Sequence, residues 1–371
     1  MPIVKSLAAA TLAGLAAVSP AAQEAPVSMD HGARPSGNVT VVARFADAQP
    51  SGIVVLPDGA LALSFPRSAL DHRGPRLGRW SQGKLLPYPD AASQARFVSP
   101  LGMTIDARGR LWVLDEGVVA GSKAVPKPHL FAIDPKTRRI VEDIALVGAP
   151  LPDGVAVNDV RVDPAHGTAG TAYISDISAD HPGIVVVDLA TRRARHVLTG
   201  APQVSATPGF AMMVDGQLLR YDPARPNFAV GAIDGIVLST DMTRLYWAPL
   251  AGRRLYSLPT ALLADAALSE ADLRKAIRDE GEVGVMDGMA AGPDGSLYFT
   301  DVERHAIQRR WPDGHLSTVA HDPRLIAPDS IALTPDAMYV TVGQWSRLPG
   351  FNGGRDRVER PWFVVKIART D

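Results

Sequence analysis

Polar residues able to bind cations or move protons recur at one position of a repeated sequence pattern. Each stands at the start of a short apolar run, and most are followed directly by glycine. In chain order the six positions hold Ser51, Leu101, Asn158 with Asp159, Asp234, Asp287 and Asp329. Carboxylates gathered at such positions repel one another unless they are protonated, paired or bound to a cation. Asn and Asp oxygens are the ligands of hard cations, so the pattern predicts a site for Ca²⁺ or a similar divalent ion.

The same positions have a structural interpretation, because an aspartate at a strand start can simply cap backbone amides. For any one residue that interpretation is the stronger. The shared place of all of them before a hairpin turn favours a site. The ends of the following runs add an expected outer ring of carboxylates on the same face: Asp115, Glu116, Asp176, Asp301 and Glu303.

The loop GQWSRLPG brings two further candidates. Trp345 and Arg347 would cover the end of the channel, where the Trp345 ring offers a face on which a planar ligand can stack. Plain packing of the loop is the alternative for Trp345. Together with Asn158, Asp159 and Asp329, these two residues form the expected ligand-binding set.

A repeated hairpin must position all of these residues. Residues 285–301, VMDGMAAGPDGSLYFTD, read as a strand, a tight turn and a second strand that closes on aspartate. Five more copies begin at Ser51, Leu101, Asn158, Asp234 and Asp329. Runs such as LWVLD and LYFTD are apolar on both faces, as in sheets packed between neighbouring sheets. The sequence therefore predicts an all-β fold, a six-bladed β-propeller with a blade about every fifty residues.

The two ends of the chain supply unmatched strands. VTVVARF precedes the first hairpin and FVVKI follows the sixth, so we expect them to complete one blade and close the ring. A short surface helix is predicted over residues 268–280, with Ser269 and Asp272 at its N-terminus. The loop of residues 343–361 interrupts the sixth blade.

Composition limits the classes of partner. The net charge is −1, which provides no basic field for nucleic acid or an anionic membrane. There is no cysteine, and no HExxH, GxSxG or phosphate-binding glycine loop occurs. Thiol, zincin, α/β-hydrolase and nucleotide chemistry therefore lack a sequence basis.

The N-terminus has the pattern of a secretion signal. Lys5 precedes an alanine-rich apolar run that ends in Ser19-Pro20-Ala21, and the run is too short to span a bilayer. We expect a signal peptide over residues 1–21, a flexible leader over 22–38 and a single propeller domain over 39–371. The expected product is a secreted or periplasmic monomer that takes a small-molecule ligand.

The order of several motifs resembles the Yellow/major royal jelly protein family. The motifs are LGMTIDARGRLWVLDEG, HLFAID, NDVRVD with AYISD, and DGIVLSTDMTRLYWAPLAGRRLYSLPTALL. This resemblance implies a six-bladed propeller. Bacterial members are described as related to dopachrome tautomerases, and some insect members are secreted proteins that bind aromatic amines in the channel.

A more distant similarity links the chain to the gluconolactonase (regucalcin-like) family, whose divalent cation is held in the channel by Glu, Asn and Asp. The similarity places Asn158 on the substrate side and matches Asp234 and Asp287 to two metal ligands. The family's glutamate falls at Ser51, which cannot replace a carboxylate.

Three functions remain open from sequence. In an enzyme, Asp234 or Asp287 would be a general base beside a cation-bound water for lactone hydrolysis, or would move a proton in a tautomerisation. In a non-catalytic binding protein, Asp234, Asp287 and Asp329 would hold a cationic aromatic ligand. In an interaction scaffold the channel residues would be irrelevant.

Overall fold

The computed structural model describes residues 35–148, 150–220 and 231–369. Strands dominate it. In chain order they are β1 (Val39–Phe45), β2 (Ile53–Val55), β3 (Leu61–Ser64), β4 (Leu77–Ser81), β5 (Lys84–Pro87), β6 (Pro100–Ile105), β7 (Leu111–Asp115), β8 (His129–Asp134), β9 (Arg139–Ala145), β10 (Val157–Asp163), β11 (Thr171–Asp176), β12 (Gly183–Asp188), β13 (Arg193–Val197), β14 (Ala211–Val214), β15 (Gln217–Arg220), β16 (Ile233–Leu238), β17 (Arg244–Pro249), β18 (Arg254–Pro259), β19 (Arg278–Glu282), β20 (Met286–Ala291), β21 (Leu297–Asp301), β22 (Ala306–Arg310), β23 (Leu316–His321), β24 (Pro328–Leu333), β25 (Ala337–Val342) and β26 (Trp362–Ala368).

Helices are few and short in the described chain. The α-helices are α1 (Thr260–Ala264) and α2 (Glu270–Ala276), and 3₁₀ turns cover Ala92–Arg96, Trp345–Arg347 and Pro349–Phe351. No helix among the described residues is long and apolar enough to cross a bilayer.

Six antiparallel four-stranded sheets form the blades. Five of them run in simple chain order, β2 to β5, β6 to β9, β10 to β13, β16 to β19 and β20 to β23. The sixth has the order β1-β26-β25-β24, in which Val39 lies opposite Ile367 and Phe45 opposite Trp362. The fold is a six-bladed β-propeller whose ring is closed by the N- and C-terminal strands, which confirms both parts of the fold prediction.

Each blade buries both faces against its neighbours. Six hydrophobic clusters of buried side chains lie between consecutive sheets around the ring, and the last of them joins Val364 of the sixth blade to Leu63 of the first. Strand β7, LWVLD, is buried at all five positions. Burial on both faces explains why the inner strands are uniformly apolar instead of alternating.

Several local features differ from the sequence prediction. Helix α2 begins at the predicted cap, where the Ser269 side chain accepts the Asp272 N–H, but it ends at Ala276 because strand β19 follows at once. Ser36, assigned to the leader, exchanges two backbone hydrogen bonds with His321. The hairpin β14–β15 and helix α1 were not predicted. The proposed signal peptide and residues 22–34 lie outside the described residues.

Candidate functional site

The repeated channel positions of five blades, four of them polar and one occupied by Leu101, lie in irregularities of the innermost strands. In β6, β10, β16, β20 and β24 the register shifts between the first and fourth residues of the strand. In β16, Ile233 pairs with Pro249 and Ile236 with Trp247, so Asp234 and Gly235 lie between the paired positions. Such a bulge bends the strand and redirects its side chains. The bulged residues line the central channel.

Four of the channel positions, those of Ser51, Leu101, Asp234 and Asp287, are followed by a glycine that the neighbouring blade requires. A Cβ on Gly235 would lie 1.8 Å from the carbonyl oxygen of Asp287, and one on Gly288 would lie 2.2 Å from that of Asp329. A Cβ on Gly102 would lie 2.4 Å from the carbonyl oxygen of Asn158. The glycines therefore let the innermost strands approach closely around the channel.

Hydroxyl groups on the second strands hold the bulges in place. Three of them accept the N–H of a bulged residue at 2.8 to 3.0 Å: Ser175 from Asp159, Thr300 from Gly288 and Thr341 from Ser330. In the first blade, whose register is regular, Ser64 accepts the N–H of Gly52 at 2.7 Å. Two of them also donate to the next blade, Ser64 Oγ to the Leu101 carbonyl and Thr341 Oγ1 to the Ser51 carbonyl, both at 2.6 Å. Sequence reasoning missed these hydroxyls, although each stands near the end of a second strand and was visible as a repeated Ser or Thr.

The channel opens into a cavity of about 480 Å³. The structure brings Ser51, Leu101, Asn158, Asp234, Asp287, Asp329 and Trp345 together in its wall. Glu116 joins them from the expected outer ring. Apolar side chains complete the lining, among them Ile177, Leu250, Leu348 and Phe351.

Each of the three channel aspartates receives a hydrogen bond from a different neighbour. The Asn158 side-chain N–H donates to Asp234 Oδ1. The Trp345 indole N–H donates to Asp287 Oδ2 at 2.6 Å, and the Ser51 hydroxyl donates to Asp329 Oδ2 at 2.7 Å. Trp345 is therefore a polar partner of the cluster as well as part of its apolar wall.

Burial and mutual repulsion disfavour the charged forms of these aspartates. Burial, together with the charges of Asp329 and Asp159, raises the pKa of Asp234 to about 8. Burial and the charges of Asp329 and Asp234 raise the pKa of Asp287 well above its ordinary value. Burial raises the pKa of Asp329 to about 6, against the opposing hydrogen bonds from Ser51 and Ser330. The cluster thus exchanges protons around neutral pH.

Glu116 is a fourth carboxyl group of the cavity with a perturbed pKa. Burial raises its pKa to about 7, and hydrogen bonds with Ser68 and Ser99 act in the opposite direction. The Ser99 hydroxyl lies 2.8 Å from Glu116 Oε1.

Two residues of the predicted ligand-binding set are engaged elsewhere. Asp159 is paired with Arg161 at 2.6 Å and lines only the narrow continuation of the channel. Arg347 is nearly buried, pairs with Asp215 at 2.5 Å and with Glu359 at 3.1 Å, and is not among the residues that line the cavity. The structure therefore gives Arg347 contacts within the loops that cover this face.

The remaining carboxylates of the expected outer ring bind loops and do not line the cavity. Asp115 accepts the backbone N–H groups of Val98, Ser99 and Gly117. Asp301 accepts those of Glu303 and Arg304, and Glu303 pairs with Arg253 at 2.7 Å. Asp176 contacts His181 and His196.

A cover of hydrophobic residues lies over the cavity face of the ring. Hairpin β14–β15 contributes Met212, Val214 and Leu219 to a cluster that also contains Trp345 and Leu348. The Arg347–Asp215 ion pair joins the loop to the turn of this hairpin. Leu250, Trp345 and Leu348 of this cluster also line the cavity.

The channel contains carboxyl and amide oxygens, which are the types of ligand that hard cations take. Asp234, Asp287 and the side-chain oxygen of Asn158 are the predicted ligands, and Asp329 adds a further carboxyl group. Ser51 contributes only a hydroxyl, which donates to Asp329. N–H donors from Asn158 and Trp345 already occupy one oxygen each of Asp234 and Asp287.

The fold and this site define a class, a six-bladed propeller with an acidic, partly apolar channel. Residues 98–342 match the model of the major royal jelly protein family. The match covers more than half of the chain, and the chain therefore belongs to this family, which confirms the resemblance seen in the sequence.

Curated relatives are similar over part of their length. Major royal jelly protein 2 of Apis mellifera is 31% identical over 192 residues, which is 48% of this chain and 39% of that protein. Major royal jelly protein 1 of Apis mellifera is 23% identical over 261 residues, 66% of this chain and 56% of that protein. The chain thus spans about two fifths to just over half of these relatives.

Solved structures share the fold at low identity. A luciferin-regenerating enzyme has a TM-score of 0.55 at 13% identity, and the alignment covers 90% of each chain or more. A gluconolactonase from Xanthomonas campestris has a TM-score of 0.54 at 13% identity over 90% of each chain. Regucalcin from Agrobacterium tumefaciens, a calcium-binding protein, has a TM-score of 0.52 at 15% identity over 88% of this chain and 94% of its own.

Proposed function

We propose that this protein is exported and binds a small organic cation, an amine with an aromatic or similarly apolar body, in the propeller channel. The observation that carries the proposal is the composition of the cavity wall. Among the described residues it holds four carboxyl groups, Glu116, Asp234, Asp287 and Asp329, and no Lys, Arg or His.

The electrostatics of the aspartates favour a positively charged ligand. Raised pKa values for Asp234, Asp287 and Asp329 mean that ionisation is costly in the buried channel. An ammonium group among them lowers that cost, because a nearby opposite charge stabilises the carboxylate form. Ligand binding should therefore release protons from the protein near neutral pH.

The apolar part of the cavity accommodates the body of the ligand. Trp345 and Phe351 pack with ring centroids 5.1 Å apart, and Leu250, Leu348 and Ile177 complete the wall. A cavity of about 480 Å³ is within the range of small-molecule sites, which bury most of their ligand against such walls. The carboxyl groups at one end then fix the orientation of the amine.

A second candidate function is proton transfer on a bound quinonoid or cyclic ligand. Asp234 and Asp287 lie in the same wall, where burial raises the pKa of Asp234 to about 8 and burial with the neighbouring charges of Asp329 and Asp234 raises that of Asp287. Groups whose pKa lies near the working pH are effective general acids and bases. In this reaction one aspartate would take a proton from carbon while the other supplies one to oxygen, which is a tautomerisation.

A divalent cation, Ca²⁺ or a similar ion, is the alternative occupant of the same carboxyl groups. Asp234, Asp287 and Asn158 would hold it, and it would polarise a lactone carbonyl and acidify a water when bound. The similarity in fold to a gluconolactonase and to the calcium-binding protein regucalcin motivates this alternative. The hydroxyl of Ser51 in place of a carboxylate weighs against it.

The binding proposal is tested with a matched pair of probes, phenethylamine and 2-phenylethanol. They are similar in size and differ in charge. We expect the amine to raise the unfolding temperature and to bind in calorimetry, since a ligand at a hundred times its Kd stabilises by ~2.7 kcal/mol. The alcohol should bind at least ~10-fold more weakly. Asp287→Asn should abolish the difference, whereas Asp336→Asn, at an exposed turn, should retain it.

Three outcomes would contradict the binding proposal. Neither probe binds, both bind equally, or the amine binds equally well to Asp287→Asn. Stabilisation by Ca²⁺ that is lost in Asp287→Asn would favour the divalent-ion alternative.

For the proton-transfer function, Asp234→Asn should lower turnover of a dopachrome-like quinone by ~10²–10⁴-fold. An unchanged rate would exclude Asp234 as the acid or base.

A further inference from the structure

A second group of ligating side chains lies in the third blade, outside the cavity lining. Asp176 ends strand β11, His181 follows it in the loop to β12, and His196 lies in β13. One ligand atom from each lies within 4.8 Å of the other two. Asp176 is fully buried, the His196 side chain is 3% exposed and the His181 side chain is 24% exposed.

The aspartate is oriented by donors that leave one oxygen for the histidines. Asp176 Oδ1 accepts the N–H groups of Ala156 at 3.0 Å and Ser178 at 2.9 Å, and also the Ser178 hydroxyl. Asp176 Oδ2 instead faces His196 Nε2 at 2.9 Å and His181 Nδ1 at 3.3 Å. Two imidazoles thus converge on a single carboxylate oxygen.

The outer nitrogens of both rings have partners that fix the rings. His181 Nε2 lies 3.1 Å from the Asp153 carbonyl oxygen, which only accepts, so this nitrogen carries the hydrogen. A neutral His181 therefore turns the lone pair of Nδ1 towards Asp176. His196 Nδ1 lies 2.7 Å from the Thr199 hydroxyl. Metal-bound histidines characteristically donate their other N–H to a carbonyl, carboxylate or similar partner.

The packing of the blade leaves room for His196 in this position. A Cβ on Gly183 would lie 2.4 Å from His196 Cε1 and 2.9 Å from Nε2. Gly183 stands directly opposite Asp176 in the β11–β12 ladder. The glycine thus allows the imidazole to lie across the strand and reach the carboxylate.

We propose that Asp176, His181 and His196 bind a divalent transition-metal ion such as Zn²⁺, through Asp176 Oδ2, His181 Nδ1 and His196 Nε2. With bonds near 2.0 Å, neighbouring ligands of a tetrahedral zinc ion lie roughly 3.3 Å apart. The distances of 2.9 and 3.3 Å from Oδ2 to the two ring nitrogens need only small adjustments. Imidazole nitrogens select zinc or copper over Ca²⁺ and Mg²⁺, which prefer oxygen ligands alone.

The bound ion would tie the loop after β11 to the outer strand of the same blade. Ile177, next to Asp176 in the chain, lines the cavity. The metal would therefore restrain the segment that carries Ile177 and, with it, one wall of the cavity. Because His181 is partly exposed, a water molecule can reach the ion and serve as its fourth ligand.

The test is zinc binding to the full chain without an affinity tag. We expect calorimetry and metal analysis to show one Zn²⁺ per chain, and Co²⁺ in its place to give the visible absorption of tetrahedral nitrogen and oxygen ligation. His181→Ala should weaken Zn²⁺ binding by at least ~10-fold, and Thr199→Val by ~10–100-fold through loss of the outer hydrogen bond. His166→Ala is the matched control, because it removes another histidine paired with a buried aspartate, Asp163, in the same blade.

The outcomes separate this site from the channel. Asp287→Asn should bind Zn²⁺ as the native chain does. The proposal is overturned if the native chain takes up no stoichiometric Zn²⁺, if His181→Ala binds it equally well, or if Asp287→Asn abolishes binding. Loss of binding in His166→Ala would also overturn it. His181 is partly exposed, so its replacement should leave the fold intact, which circular dichroism will verify.

Discussion

At the scale of single residues, the channel aspartates hold protons that ordinary aspartates release. Asp234, Asp287 and Asp329 have raised pKa values because they are buried beside one another. Their neighbours supply hydrogen bonds, but the described cavity wall supplies no positively charged side chain. Burying these carboxyl groups together lowers the stability of the protein, a cost that the proposed cationic ligand would offset.

The raised pKa values predict how stability depends on pH. In the unfolded chain these carboxyl groups ionise near their ordinary pKa of 3.8, whereas in the folded protein Asp329 ionises at about 6 and Asp234 at about 8. Between those values the folded state holds more protons, so the free energy of unfolding falls as the pH rises. The loss is at most about 1.4 kcal/mol per pH unit for each titrating group. The part of the loss due to Asp234 should continue through its pKa of about 8 and level off at higher pH.

Urea unfolding of the ligand-free protein at several pH values measures this loss. Asp234→Asn should reduce the slope and make the variant more stable than the native protein near pH 8. Asp336→Asn serves as the control for a general effect of charge. An identical slope in the native protein and Asp234→Asn would show that Asp234 does not ionise in this range.

At the scale of elements, the bulges of the innermost strands bring the repeated polar residues together in the channel. Ile233 and Ile236 keep their pairing with β17, while Asp234 and Gly235 between them are displaced towards the channel. A repeated aspartate was visible in the sequence, but the bulge was not, since it depends on contacts between strands. The Ser and Thr residues that support the bulges of other blades were visible as residue types, whereas their hydrogen bonds were not.

The glycine of this element gives a second prediction. Gly235→Ala would place a Cβ 1.8 Å from the Asp287 carbonyl oxygen, a position held by backbone that cannot move away cheaply. We expect a loss of at least about 1–3 kcal/mol in unfolding free energy, as in overpacked cores, together with loss of ligand binding. Gly350→Ala is the control, because nothing lies within 4 Å of its added Cβ. Equal stability of the two variants would refute the close-packing argument.

The repeats could be predicted from the sequence because strands buried on both faces are continuous apolar runs. It predicted Asn158, Asp234, Asp287 and Asp329 as neighbours because all occupy one position of that repeat. It could not show that Arg347 pairs with Asp215, since within the described residues hairpin β14–β15 has no counterpart in the other blades. The Asp176 and His196 contact was hidden for a similar reason, because it depends on β12 lying between their strands.

At the scale of the whole molecule, the ring depends on one strand from the start of the described chain. Strand β1 covers the outer edge of β26, and its Phe45 packs edge-on against Phe65 and Trp80 of the first blade, with centroids 5.2 and 5.5 Å apart. It therefore contributes both to the sixth sheet and to the contact between the sixth and first blades. Loss of this strand would uncover a sheet edge and an interblade core together.

This geometry predicts a sharp difference between two N-terminal deletions. Removal of residues 1–45 eliminates β1 and the Phe45 contacts, and loss of one buried aromatic side chain alone costs about 3–5 kcal/mol. Because whole domains are stable by only about 5–15 kcal/mol, the shortened ring should unfold at much lower temperature and with reduced cooperativity. Removal of residues 1–34 keeps every contact among the residues that the structure describes, and the shortened protein should unfold like the full chain. Calorimetric scans of both deletions measure the difference, and equal unfolding temperatures would mean that the remaining five and three-quarter blades hold the ring closed without β1.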